Sequence, residues 1–98
     1  MYVAIRRLKI RTGLIDEAVR LVGNELLPIL SSMPGFVEYE VVQIGEDEGL
    51  TISIFETQEQ AEESSKRAAE WVKPRFAQFA AGPLETVAEG SVRYREAR

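Results

Sequence analysis

Apolar and polar positions alternate at the start of the chain. Val3 and Ile5 share one parity, Arg6 and Arg7 interrupt, and Leu8 and Ile10 resume on the other. This predicts a strand over 2–11, with either a bulge near the arginines or partial cover on both faces. From Leu14 to about Leu30 the period becomes helical, with Leu14, Ala18, Leu21, Val22 and Ile29 on one stripe. Asp16 and Glu17 fall in its first turn, where the helix dipole favours them. Pro28 crowds the carbonyl of Asn24 and predicts a kink or break near Leu27. Pro34-Gly35 then ends the helical region, and "FVEYEVVQI" (36–44) reads as a strand. Its expected inward face carries Val37, Tyr39 and Val41, with Glu38 and Glu40 on the other. "GEDEG" (45–49) is a hairpin turn and "LTISIFE" (50–56) a third strand.

Thr57 and Gln60 have the spacing of a capping box. The helix they open places Ala61, Ser65, Ala68, Val72, Phe76 and Phe79 on one stripe, and Pro74 predicts a short trailing helix. "LETVAEGSVRYR" (84–95) reads as a final strand with an irregularity at Gly90. The order β-α-β-β-α-β, spanning 1–98 as one domain, predicts a ferredoxin-like α+β fold. Right-handed crossovers put four antiparallel strands under two helices on one face. The other face would still carry Phe36, Val42 and Ile44. Apolar residues of both parities predict a homodimer whose sheets pack face to face as an α+β barrel.

Composition narrows the chemistry. The 98 residues contain no cysteine and no histidine, and the net charge is −4. Thiolate chemistry, Cys/His zinc sites, Ser-His-Asp catalysis and a histidine haem ligand are excluded. Ser64 and Ser65 have no histidine or lysine arranged as a base, so a nucleophilic serine is not expected. The acidic balance counts against nucleic acid, whose phosphates must be neutralised. No apolar run approaches the roughly 18 residues needed to cross a bilayer. "MYVAIRRLKI" begins directly as a strand, so the expected location is cytoplasmic. With no Gly-rich phosphate loop, histidine ligand or cysteine pair, no metal, haem, flavin or nucleotide is expected.

"MPGFVEYEVV" after the first helix, and "ISIFETQEQAEES" from the third strand into the second helix, resemble the antibiotic biosynthesis monooxygenase-like family. The resemblance covers nearly the whole chain, and it implies the dimeric α+β barrel. It also implies a cofactor-independent monooxygenase acting on an aromatic or polyketide-like compound between helices and sheet. Haem-degrading relatives use a histidine on the second helix, and this chain has none. The alternative is a non-catalytic dimer that binds a small apolar or aromatic ligand or serves as a stress or accessory protein.

Candidate residues follow from the pattern. Glu38 and Glu40 are about 6.5 to 7 Å apart on one face of a strand, too far to share a proton. They are expected to be solvated or paired with arginines across the dimer. Glu25 falls inside the first helical stripe, where burial would raise its pKa and suit it as a general base. Arg75 would hold the resulting anion. Trp71 would wall a pocket for a flat ligand, lined further by Tyr39, Phe55, Ala68 and Val72. The small residues Ala61, Ser65 and Ala68 leave room for that ligand above the sheet.

Overall fold

The structure, a computed structural model, describes residues 1–98. Strand β1 spans Tyr2–Lys9, helix α1 Ile15–Leu21, a π-helical turn Val22–Leu26, and helix α2 Leu27–Ser31. Strands β2 (Phe36–Gln43) and β3 (Glu48–Phe55) form a hairpin, followed by helix α3 (Gln58–Arg75) and strand β4 (Glu85–Ser91). The sheet order is β2-β3-β1-β4, antiparallel throughout. This is the ferredoxin-like arrangement, with the helices over one face.

Two sequence signals meet at one corner. Gly35 adopts φ +81°, which only glycine takes without strain, and its carbonyl accepts the Glu56 N–H at 2.8 Å. The Gln60 side chain occupies the space a Cβ at Gly35 would need. That same amide accepts the Thr57 N–H, while the Thr57 hydroxyl accepts the Gln60 N–H, completing the capping box. The Pro-Gly turn is thereby locked onto the N-terminus of α3. Beside it Phe36 meets Phe55 edge-on at 5.8 Å, and Phe55 is fully buried.

The first helical arm does not break at Pro28. The Leu27 N–H donates five residues back, to the Val22 carbonyl, and α2 continues with Pro28 in its first turn. The widened turn absorbs the proline that a regular helix would reject. The second correction lies in β2. Its register shifts between Phe36 and Glu38, so Val37 is an extra residue. Phe36 therefore joins Tyr39 and Val41 against the helices instead of sharing the open face with Val42 and Ile44. In β4 the irregularity is at Val87, opposite Ile5 and Arg6, and not at Gly90. Strand β1 pairs with β3 without a bulge. Helix α3 ends at Arg75 in turns rather than in a second helix.

The open face presents Val3, Ile5, Leu50, Ile52 and Ile54 by strand alternation. Glu38 lies on that side and pairs with Arg95 at 3.2 Å. Because β2 and β4 are opposite edges, the chain beyond β4 crosses the open face to reach it.

Candidate functional site

Between helices and sheet lies a cavity of about 260 Å³. Val22, Leu26 and Leu30 of the first helical arm form one wall, and Ala68, Trp71, Val72 and Phe76 form another. The floor comes from strand residues on the helix-facing parity: Arg6 and Leu8 of β1, Tyr39 of β2, and Thr51 and Ser53 of β3. The space exists because α3 presents Ser64, Ser65 and Ala68 above those strands. Its buried residues are Ala61, as the predicted stripe has it, and Ser64 and Trp71, each one position before the predicted Ser65 and Val72.

Trp71 is a core residue at 8% exposure, packed against Phe76, and it also faces the cavity. Its Nε1 donates to Glu25 Oε1 at 3.2 Å. Arg75 completes that cluster, donating from Nε to Glu25 Oε1 at 2.8 Å and from Nη2 to Oε2 at 2.5 Å. Glu25 thus lies on the seam between the π-helical turn and α3 and does not line the cavity. The Arg75 hydrogen bonds hold its carboxyl below the usual range; burial opposes this, and the Trp71 bond adds to it. The expected raised pKa is therefore corrected, because the arginine supplies more than desolvation removes. Arg75 is itself committed to Glu25, which raises its own pKa.

Of the other sequence candidates, Tyr39, Ala68, Trp71 and Val72 come together around the cavity. Phe55 does not; its ring fills the corner beside Phe36. Burial pushes the Tyr39 phenol up to about 12, against smaller opposing effects of the Thr51 side chain and the Arg6 charge. At neutral pH it is a protonated donor.

Sequence reasoning missed Arg6. Its Nη2 donates to Ser65 Oγ at 2.7 Å, and Ser65 in turn donates to the Ala61 carbonyl at 3.0 Å. A signal was present: Arg6 shares the parity of Leu8 and Ile10, so it faces the helices. No carboxylate lines the cavity, and no group of three or more acidic, histidine or cysteine residues forms a metal site.

An α+β domain of ferredoxin-like fold with a sheltered apolar site is the class defined by these features. Residues 1–81 match the family model described as antibiotic biosynthesis monooxygenase, and the chain belongs to that family. No curated protein matches the chain in sequence. Among solved structures, a protein of unknown function from Nitrosomonas europaea superposes with a TM-score of 0.84 at 11% identity, covering 99% of this chain and 93% of its own. A Streptomyces coelicolor monooxygenase, in complex with the ligand nanaomycin D, gives 0.79 at 14% identity, covering 99% and 91%. A dimeric ferredoxin-like protein from an uncultured marine organism gives 0.76 at 10% identity, covering 99% and 98%. Identities this low establish a shared fold. No helix of the chain is long and apolar enough to cross a membrane.

Proposed function

We propose that this protein is a small cofactor-independent monooxygenase that takes a flat aromatic or polyketide-like compound into the cavity beside Trp71. The observation that carries the reading is a mostly apolar cavity with a few hydroxyls and one guanidinium on its floor, the usual make-up of a small-molecule site. Membership of the monooxygenase family supports it, as does the shared fold of the nanaomycin-bound enzyme. In the reaction a CH2 activated by neighbouring phenol or carbonyl groups gives a proton to water, the carbanion adds O2, and the peroxide anion takes a proton back from water. The peroxide then loses water and becomes a carbonyl, so one oxygen ends in the product and the other in water. The chain would supply the shape, Trp71 and Val72 as walls, and the Tyr39 hydroxyl as a donor to substrate oxygen. Glu25 and Arg75 act as positioning residues, holding the indole through its N–H.

The test is incubation with anthrone-like phenols in air and under nitrogen, following quinone absorbance. Oxygen-dependent quinone formation above the uncatalysed rate is expected. Tight binding without turnover would favour the second reading, a non-catalytic ligand carrier. The lack of any carboxylate or histidine in the cavity to take the substrate's proton speaks for that alternative.

The protein is further proposed to work as a homodimer through the open face of the sheet. Apolar side chains there, with Val42 38% exposed, support this, as does the dimeric relative in fold. Burying such a side chain fully contributes on the order of 1.5–3 kcal/mol. Sedimentation should give a dimer at micromolar concentration, and a monomer would overturn the assignment.

A further inference from the structure

We infer that Arg6 is an oxyanion-binding residue, so the ligand of this cavity is a flat ring compound carrying an ionised oxygen, a carboxylate or a phenolate. The inference rests on the cavity reading above and adds the chemistry of the ligand's polar end.

Arg6 stands on the helix-facing side of β1, half-buried, opposite Thr51 of the neighbouring strand. Its one side-chain hydrogen bond is to Ser65, and no carboxylate oxygen lies within 4.0 Å of it. The Ser65 proton is already given to Ala61, so Ser65 orients the guanidinium without neutralising it. Arginine offers five N–H donors in a planar fork, and most remain available here. A positive charge partly shielded from water and left without a counter-ion stands at a cost that a bound anion can lower. At the end of an apolar cavity, a ligand oxyanion would remove that cost.

The neighbouring groups agree. Tyr39 is held protonated, and Thr51 and Ser53 add hydroxyls, so the floor is rich in donors and carries no negative charge. Arg6 also borders a second, polar cleft of about 280 Å³ that includes Glu62, Lys66 and Glu89. Its acidic groups stay beyond pairing distance of Arg6. The guanidinium therefore marks the boundary between the polar cleft and the apolar cavity, where an amphiphilic ligand would place its charged end.

The experiment is calorimetric titration of the whole chain with naphthalene-2-carboxylate and with its neutral twin, naphthalene-2-carboxamide. The carboxylate should bind at least about tenfold more tightly, as charge-assisted hydrogen bonds imply. Arg6→Met should erase that preference while changing amide affinity by less than about threefold, and Arg6→Lys should retain part of it. Equal affinity of the unaltered protein for both ligands would overturn the inference and leave the aromatic-cavity reading standing. Equal loss of both ligands in Arg6→Met would assign Arg6 to structure and would also overturn it. If neither ligand binds at millimolar concentration, the cavity reading fails and this inference falls with it. A 2-naphthol arm separates the two sources: phenolate absorbance at neutral pH, lost in Arg6→Met, assigns a phenolate ligand. Preference for the carboxylate alone assigns a carboxylate.

Discussion

Arg75 and Arg6 belong to the same helix–sheet layer and differ in what surrounds them. Arg75 grips Glu25 through two hydrogen bonds on a seam where its side chain remains 53% exposed. Arg6 meets only a serine, inside a cavity whose walls are mostly apolar. The first is closed chemistry: charge answered by charge, with Trp71 held as a by-product. The second is open chemistry, because its donors have no protein partner of opposite sign. An arginine near a cavity thus indicates ligand binding only when its counter-ion is missing. Trp71 joins the two regions, with its N–H on the seam and its ring on the cavity.

The largest effect should come from removing that joint. Trp71→Ala deletes a buried indole from the core and should cost about 3–5 kcal/mol in denaturant unfolding. It should also abolish binding of naphthalene-2-carboxylate. Trp71→Phe retains much of the packing while losing the N–H to Glu25 and part of the ring, so it should fold and keep the cavity. A Trp71→Ala protein of unchanged stability would show that Trp71 is not the shared wall.

Next comes the dryness of the Arg6 side. With its folded pKa raised to about 12, Tyr39 stays protonated where the unfolded chain, near 10, has ionised. The folded state thus keeps its full stability below pH 10 and loses it as pH rises toward 12. By pH 11 the loss should be roughly 1 kcal/mol. Tyr39→Phe should lack that part of the alkaline decline. If the two proteins decline in parallel, Tyr39 is wetter than its placement implies.

The two arginines can then be crossed. Arg6→Met should leave Tm unchanged or raise it, since an unanswered charge gives way to an apolar chain of similar length. Arg75→Met should lower Tm by no more than a few degrees, because the pair is half-exposed and screened. It should leave the preference for carboxylate over amide intact. Exchange of these outcomes between the two variants would reverse the assignment of roles.

How much of this could be read from the chain follows the same division. Element order, the capping box, and the inward placement of Tyr39 and Val41 came from regular periods and specific turn chemistry. Errors arose where the backbone departs from a regular period. The extra residue at Val37 reverses the face of Phe36, and no local sequence cue marks it. The π-helical turn changes the angle per residue over Val22–Leu26, so a wheel drawn at the α-helical angle aimed Glu25 at the sheet. Arg6 was legible by parity alone, but its missing counter-ion was not. That requires knowing where every carboxylate lies in space.

The smallest effect belongs to Glu25 and concerns acid. Its carboxyl is held below the usual range mainly by the Arg75 hydrogen bonds, so the ionised form is favoured more in the folded chain than in the unfolded one. A depressed folded pKa contributes stability that is fully present above the unfolded value of about 4.5. That contribution disappears as pH falls through the folded value. Glu25→Gln removes it at every pH while keeping the shape and one acceptor for the indole N–H. The parent should therefore melt above Glu25→Gln at pH 7, and the gap should close as pH drops below the ordinary carboxylate range. Thermal melts of both proteins from pH 7 to pH 3 would measure this. A gap that instead widened toward acid would mean that Glu25 is stabilised in its protonated form. The seam would then be the dry region, and the contrast with Arg6 would fail.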